Sequence, residues 1–333
     1  MKSPVTDKEM RLEMEERTLT YRKEQFEVYY HYYFCEDSKE KFTNDDLDTL
    51  NLNQVYNQYR ARYGIPFTDE IKFIREKYEL SAAKMSEVLG LGTNVYRHYE
   101  SGEMPSVATG RLIRLAADPH EFRKLLEMGK NALTEHEYER VSKKIDHSAH
   151  GWGAVNEHLE QVLFGNKLPG IYNGFRMPRL DKIGCMVSFF AKKNRPFTTA
   201  MNKLMFYADF GHFKKHGTSI SGLCYNAIRL GPVPMNYGSI YDQLTNRAYI
   251  KIEEKEFDNF VGEQFFEGHV EINNDETLFI DSEMEILKKV AEKFKGMNTK
   301  QMAEISHEED AWQSNIEDEG KINYVHSFRL KHI

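Results

Sequence analysis

The segment from Thr68 to Met128 most restricts the folds open to this chain, because strong capping and breaking residues divide it into short helices. Ser, Thr and Asn favour the first position of a helix, and Gly favours the position just past its end. The pattern allows five helices at most. The residues that begin or end them are Thr68, Ser81, Gly90, Gly92 or Thr93, Gly102 and Ser106.

Residues 81–102 of this segment have the pattern of a helix-turn-helix. Small Ser86 suits a close helix crossing, and Gly90 permits the positive φ of a tight turn. Val95 and Tyr99 are four residues apart, so they are predicted to bury one face of the second helix.

The opposite face of that second helix carries Asn94, Arg97 and His98. Asn can pair with adenine and Arg with guanine in the major groove, which predicts DNA recognition. Thr93, Lys84 and Arg111 are predicted to contact phosphates and set the register. The alternative is a dimerisation or peptide-binding module, because any short amphipathic helix pair shares this pattern.

The regions on either side of this helical segment have different patterns. Alternating Thr, Tyr and Phe residues predict a hairpin of strands over residues 17–21 and 26–34. The region after Met177 predicts helices mixed with a few strands. The predicted helices are 181–192, 199–212, 239–244, 282–294 and 299–306, and the predicted strands lie near 224–229, 249–252 and 278–280.

These patterns predict an α+β fold that is mostly α, divided into four regions. A small β-rich domain spans 1–64, a helix-turn-helix domain 65–130, a helical linker 131–175, and a mainly helical domain with a few strands 176–333. The Gly231-Pro232-Val233-Pro234 stretch predicts a rigid turn that leaves a strand and opens a helix.

The apolar runs are too short to span a membrane, and the cysteine content indicates a cytoplasmic protein. The net charge is −7, so DNA binding requires a local cluster rather than bulk charge. The three cysteines have no disulfide-framework spacing, which fits a reducing compartment. Cys185 and Cys224 are predicted in an apolar helix and a strand, where thiols stay inert. We therefore expect no enzymatic activity and no cofactor.

The amino-terminal part resembles antitoxins of the MqsA type, in which a zinc ribbon precedes a lambda-repressor-like helix-turn-helix. The resemblance covers residues 1 to about 128 and is carried by RTLTYRKEQFEVYYHYYFCE, LNLNQVYNQYR and VLGLGTNVYRHYESGEMPS. It implies a homodimer formed through the helix-turn-helix domain that represses its own operon at operator DNA. The family's base-reading Asn matches Asn94, and His98 stands where the type protein has Arg, with Arg97 beside it.

The four zinc ligands that this resemblance implies are largely replaced. Ser3 and Thr6 stand at the first pair of positions, and Cys35 and Ser38 at the second. A hydroxyl ionises far above pH 7, so these side chains predict no bound metal. The residues that could help Cys35 to form an improvised site are His31 and Glu36. Burial of aromatic side chains must then supply the stability that zinc would contribute. Only one face of a strand can be buried within so small a domain. This predicts that another domain or a partner covers the remaining rings, or that the domain is partly disordered when alone.

The carboxy-terminal region is similar to the Panacea domain, also called SocA-like. Four stretches in the right order carry the resemblance: KLMFYADF, ISGLCYNAIRLGPVP, IYDQL and SHEEDAW. Domains of this family bind and neutralise protein toxins, which implies a cognate toxin as partner. The residues that match the motif, and that are therefore candidates for toxin contact, are Lys203, Tyr207, Asp209, Gly231, Pro232, Pro234, Tyr241, His307 and Trp312.

Together these features predict an antitoxin that neutralises a toxin by direct binding and represses its own operon. One alternative is a free-standing transcriptional regulator whose carboxy-terminal domain senses a ligand or partner. Another is a proteolytic adaptor that delivers a bound client to a protease. His307 followed by two Glu lacks the second His of a metalloprotease motif, so the sequence does not predict a zinc protease.

Overall fold

The structure is a computed structural model that describes residues 1–149, 152–165, 168–257, 260–269 and 278–333. Helices dominate, and the sheets are small and antiparallel. The strands are β1 Arg11–Tyr21, β2 Glu24–Phe34, β3 Lys41–Phe42, β4 Tyr225–Ile228, β5 Gly231–Pro234, β6 Ile250–Phe257 and β7 Phe260–Glu267. The helices are α1 Asp45–Tyr63, α2 Thr68–Lys77, α3 Ala82–Val88, α4 Val95–Glu100, α5 Val107–Leu115, α6 Pro119–Met128, α7 Glu135–Ala149, α8 Trp152–Phe164, α9 Leu180–Asn194, α10 Thr198–His216, α11 Tyr237–Asn246, α12 Asp281–Lys293, α13 Thr299–His307 and α14 Asp310–Gln313. No helix among the described residues is long and apolar enough to cross a bilayer.

The contacts divide the chain into two compact units. Met1–Val55 and Leu163–Ile333 form the first, which we call the split unit, and Tyr56–Val162 form the second, the helical unit. The first division falls inside α1, whereas the sequence analysis placed a boundary at residue 64. The β-rich segment and the carboxy-terminal region therefore share one compact unit.

The amino-terminal hairpin was predicted and is present, with strands longer than the sequence suggested. Arg22 and Lys23 connect β1 to β2 with φ of 48° and 69°. Two successive residues with positive φ match the right-handed twist of antiparallel strands. The alternation on β2 buries Phe26, Val28 and Tyr32 on one face.

Side chains of α1 hydrogen-bond to the backbone of β2. Asn51 accepts from the His31 amide at 2.8 Å and donates to its carbonyl at 2.9 Å. Gln54 bonds the Tyr29 amide and carbonyl in the same way, at 2.9 and 2.8 Å. Residues three apart share a helix face, so two amide side chains occupy positions that a neighbouring strand would otherwise fill.

An aromatic contact joins the hairpin to the carboxy-terminal region. The ring of Phe328 lies 4.7 Å from that of His31, in edge geometry, and 5.8 Å from that of Tyr29. Asn53 also donates to the His216 carbonyl at 3.3 Å. Aromatic side chains of the β-rich segment are therefore covered within the split unit, as the sequence analysis anticipated for a segment with so many rings.

Helix α10 is the centre of the carboxy-terminal region, and each residue from 200 to 213 is buried. Helices α9, α12 and α13, strand β5 and the 3-10 segment Tyr324–Arg329 pack around it. The five helices predicted in this region are all present, with ends shifted by a few residues.

The strand predictions in this region were less accurate. Residues 278–280 form no strand; Ile280 is instead the N-cap of α12, and its amide donates to Glu283 at 3.1 Å. The Gly-Pro-Val-Pro stretch is strand β5, paired with β4, rather than a turn. Prolines lack an amide donor, so they are tolerated here because a two-stranded sheet consists only of edges.

Candidate functional site

The helical unit contains the predicted pair of helices, α3 and α4. Ser81 caps α3 by accepting from the Lys84 amide, and Gly90 follows the helix with φ of 68°. Ser86 is fully buried, and its hydroxyl accepts from the Tyr96 amide at 2.9 Å. This bond links the interior of α3 to the first turn of α4. Ser86 therefore supplies a hydrogen bond at the helix crossing, in addition to the close approach that its small side chain allows.

The most deeply buried residue of α4 is Tyr96, which the sequence did not single out; of the predicted pair, Tyr99 packs at the edge of the same core. Tyr96 is fully buried, and its hydroxyl donates to the Ile71 carbonyl at 2.8 Å, whereas Val95 and Tyr99 are only half-buried. Asn94 is the N-cap of α4 in place of Gly92 or Thr93. Likewise, Phe67 rather than Thr68 is the N-cap of α2, and Glu70 accepts from its amide at 2.8 Å.

The predicted DNA-contacting side chains of α4 and of the two residues before it lie on the surface. Thr93, Asn94, Arg97 and His98 are all exposed, because Tyr96 turns the opposite face of the helix into the core. Together they present amide, guanidinium, imidazole and hydroxyl groups that can hydrogen-bond to base edges or phosphates.

The two predicted phosphate contacts outside this helix differ in their surroundings. Arg111 is exposed on α5. Lys84 is half-buried, and its ammonium donates to the Ala132 carbonyl at 2.7 Å and pairs with Glu87 at 3.2 Å. Two of the three ammonium hydrogens of Lys84 therefore already have acceptors within the helical unit.

Three hydroxyl side chains lie near the Cys35 thiol in the split unit. They are Ser3, Thr6 and Ser38, which with Cys35 occupy the four positions where the resemblance implies zinc ligands. Ser3 accepts from the amides of Val5 and Thr6 at 3.2 and 3.3 Å, and the Thr6 hydroxyl lies 3.4 Å from Cys35 Sγ. The polar groups of Ser3, Ser38 and Thr6 lower the pKa of Cys35 to about 6 and so stabilise its thiolate.

The described residues contain no group of three His, Cys, Asp or Glu side chains arranged to hold a metal ion. His31, considered as a helper of Cys35, packs against Phe328 instead. Glu36 pairs with Arg11 at 3.2 Å and Lys39 at 3.1 Å. Elsewhere, Cys185 is buried in α9, and burial raises the pKa of Cys224, which keeps that thiol protonated.

The motif residues on α10 are fully buried. The Lys203 ammonium donates to the Pro232 carbonyl at 2.8 Å, and burial lowers its pKa to about 7. Tyr207 lies beside it on the same helix, its ring 4.7 Å from that of Phe294. Lys203 thus ties α10 to β5 through the backbone carbonyl of Pro232.

Asp209 organises the loop that leads from α10 to β4. Its carboxylate accepts from the amides of Ile220 and Ser221 at 2.8 and 2.7 Å, from the Ser221 hydroxyl, and from the Tyr225 hydroxyl at 2.7 Å. Burial raises the pKa of Asp209, and these four bonds act in the opposite direction. A fully buried carboxylate needs such partners because an unpaired one is very costly.

The β4–β5 hairpin is fixed from its other side by α13 and α14. Trp312 Nε1 donates to the Ile228 carbonyl at 2.8 Å, and the His307 ring stacks on Trp312 at 4.0 Å. Gly231 has φ of 95°, and a Cβ there would overlap Ser306 Oγ and lie 2.7 Å from Lys203 Cε. The separated sequence stretches of the motif therefore converge on one short hairpin.

Burial separates the candidate toxin contacts into two classes. Lys203, Tyr207, Asp209, Gly231, Pro232, Pro234 and Tyr241 are buried, whereas His307 and Trp312 are half-buried. Tyr241 donates to Asn202 at 2.7 Å inside the core. These residues hold the domain together, and only His307 and Trp312 are accessible to a partner that binds this conformation.

Sequence reasoning missed Ser306 and Glu309, which belong to the same cluster. Both are fully buried; the Ser306 hydroxyl donates to the Ala303 carbonyl at 2.8 Å, and Glu309 accepts from the Lys331 amide at 2.9 Å. A Ser-His-Glu-Glu run is typical of a solvent-exposed helix end. Nothing in the sequence indicates that its second Glu, Glu309, is buried.

Comparison with known proteins adds one match. Residues 201–313 match the protein-family model described as Antitoxin SocA-like, Panacea domain. The matched segment is about a third of the chain, and it contains the motif residues that converge on the β4–β5 hairpin. No curated protein matches the chain. The carboxy-terminal region is therefore similar to the Panacea domain of SocA-like antitoxins.

Proposed function

We propose that this chain is the antitoxin of a toxin–antitoxin system and neutralises its cognate protein toxin by direct binding through residues 176–333. The match of residues 201–313 to the SocA-like antitoxin domain carries the proposal. The arrangement around the hairpin supports it, because a domain fixed by buried Lys203, Asp209 and Gly231 offers a preorganised surface, and preorganisation lowers the entropic cost of association.

Neutralisation in this proposal is occlusion, with no chemistry on the toxin. A stable complex buries about 1,600 Å² in total, enough to cover a toxin's active site. The test is co-expression with the small reading frame next to this gene. Growth arrest by that frame alone, relieved by this chain, is the expected result. A harmless neighbour, or arrest that this chain does not relieve, contradicts the proposal.

We further propose that the helical unit is a lambda-repressor-like helix-turn-helix that represses the chain's own operon as a homodimer. The exposed Thr93, Asn94, Arg97 and His98, with exposed Arg111, support this role. A dimer places two such helices about one DNA turn apart, so a palindromic operator is expected. The negative net charge of the chain makes contacts from two copies important for affinity.

Footprinting of the operon's promoter tests this second role. Arg97→Ala is expected to weaken specific binding by about 1–3 kcal/mol, because a bidentate Arg–guanine contact is lost. Lys124→Ala, which removes one exposed positive charge from α6, is the matched control and should change binding little. Equal binding by wild type and Arg97→Ala would contradict the assignment of α4 as the reading helix.

The alternatives give different outcomes in the same experiments. A free-standing regulator requires promoter occupancy to respond to a metabolite while the neighbouring gene is harmless. A proteolytic adaptor requires breakdown of a bound client that depends on both this chain and a protease. Neither has an observation in its favour comparable to the antitoxin-domain match.

A further inference from the structure

A groove lies in the split unit between the β6–β7 hairpin and the amino-terminal ends of α10 and α13. It has a volume of about 700 Å³, and its walls include Phe197, Thr198, Phe257, Val261 and Lys300. A second hollow of about 250 Å³ adjoins it and shares Phe197 with it. The motif residues that fix the β4–β5 hairpin do not line either hollow.

Apolar side chains are exposed at this groove. Phe257 is 46% exposed and Val261 58% exposed, although both are large hydrophobic residues near the end of a hairpin. The Phe257 ring meets Phe197 edge to face at 5.7 Å. Gly262 permits this approach, since a Cβ there would lie 3.1 Å from the Phe197 ring. Exposed aromatic and aliphatic groups beside a concave wall are typical of a protein-binding surface.

Two carboxylates lie opposite each other on the same wall. Glu254 of β6 and Glu263 of β7 are direct cross-strand partners, so their side chains project from the same face. Both line the groove and both are exposed. Like charges directly opposite destabilise a strand pair, so this arrangement costs the free protein stability.

Neither carboxylate has a cationic partner within the described residues. Glu263 accepts from the Thr198 hydroxyl at 2.8 Å, and Glu254 forms no ion pair there. Lys300, on the opposite wall, lies 3.9 Å from Glu304 outside the groove. A cation placed between Glu254 and Glu263 would relieve their repulsion and gain two charge-assisted hydrogen bonds.

We propose that this groove is the toxin-docking surface and that it receives an Arg or Lys side chain of the toxin between Glu254 and Glu263, with a neighbouring apolar side chain against Val261, which lies on the same face of the hairpin. This inference rests on the antitoxin function proposed above. Arg suits the position best, because its planar fork can donate to both carboxylates while its stem packs on the exposed Val261 side chain.

Two variants separate binding from folding. Glu254→Gln with Glu263→Gln removes the repulsion, so the Tm of the free full-length chain should rise while the affinity for the product of the neighbouring gene falls about 10-fold. A purely structural role would move both quantities in the same direction. Val261→Ala keeps every charge and should also weaken binding about 10-fold.

Charge reversal gives the sharpest result. Glu254→Lys with Glu263→Lys in the full chain should abolish rescue from the neighbouring gene's product and weaken its binding by about 100-fold. Glu317→Lys with Glu319→Lys makes the same charge change at exposed positions outside the groove, and it should leave rescue and affinity within about 2-fold of wild type.

The outcomes distinguish this inference from the proposed function. If wild type and the groove reversal bind and rescue equally well, the docking surface is elsewhere and the antitoxin function stands. If wild type itself neither binds nor rescues, the antitoxin function fails and the docking proposal fails with it. Equal weakening by the groove pair and the control pair would indicate bulk charge and overturn the assignment of the groove.

Discussion

The Ser86 hydroxyl accepts a hydrogen bond from the Tyr96 amide at 2.9 Å, and both residues are fully buried. An amide in the first turn of a helix has no partner within that helix. Here the preceding helix supplies one, so α3 sets both the position and the direction of α4. This bond and the buried Tyr96 ring together determine which side chains of α4 are exposed.

Ser86→Ala is therefore expected to destabilise the helical unit by about 1–3 kcal/mol, because it leaves a buried amide without an acceptor. Urea unfolding monitored by circular dichroism measures the change. Ser101→Ala is the control, since the Ser101 hydroxyl bonds an exposed helix carbonyl and contributes little. Equal unfolding midpoints for the two variants would show that the Ser86 bond does not hold α4.

Lys203 predicts a specific pH dependence of stability. The pKa of Lys203 is about 7 in the folded state, against 10.5 for an ordinary lysine. Between these values the unfolded state binds more protons, so this residue makes the free energy of unfolding rise with pH, by up to about 1.4 kcal/mol per unit. Below pH 7 the contribution is constant and unfavourable, and above 10.5 the effect ends.

Lys203→Met should remove this rise, and the difference between variant and wild type measured from pH 6 to 10 isolates it from other titrating groups. Lys295→Met, at an exposed position, should leave the wild-type profile intact. Parallel profiles for wild type and Lys203→Met would mean that the buried amine stays charged across this range.

Two glycine substitutions are expected to act in opposite directions. Gly231→Ala should destabilise the split unit by about 1–3 kcal/mol, because φ of 95° is strained for alanine and its Cβ would overlap Ser306. Gly238→Ala lies in α11 with open space around its Cβ, and should stabilise by about 0.5–1 kcal/mol. Thermal unfolding of both variants checks the signs, and a stable Gly231→Ala would contradict the fixed hairpin.

The polar cluster around Cys35 predicts that a metal site can be created there. Changing Ser3, Thr6 and Ser38 to Cys places four thiols where hydroxyls now converge, a set suited to tetrahedral zinc. One equivalent of zinc per chain is expected in the triple variant, with thiolate-to-cobalt absorption when Co²⁺ replaces zinc. Wild type is the control. Absence of these bands would show that the four positions do not converge as the structure places them.

Local signals predicted the helices well. Ser81 and Ser106 cap their helices as expected, because a hydroxyl acceptor at a helix start is a property of neighbouring residues only. The cap of α2 was missed since the acceptor is the carboxylate of Glu70, three residues inside the helix. Tyr96 was missed because its burial depends on its bond to Ser86 and on Ile71, distant in sequence.

The strands and the candidate site were harder to predict, because they depend more on contacts between residues that are distant in sequence. Strand β7 was not predicted, and Pro232 and Pro234 made β5 look like a turn, although pairing with β4 defines it. The motif residues were found from the resemblance, but the burial of the polar Lys203 and Asp209 was not predicted, because a sequence pattern does not show that every residue of α10 from 200 to 213 is enclosed.

The division of the chain shows that the helical unit is an insertion: residues 56–162 interrupt a fold whose halves lie at the two ends of the polypeptide. A fragment that starts at the family match would lose the hairpin whose Tyr29 and His31 pack on Phe328, so that one side of that ring becomes exposed and favours aggregation. To remove the helical unit, residues 56–162 should be replaced with a short flexible tether. Trimming from the amino terminus would also remove residues 1–55, which belong to the split unit.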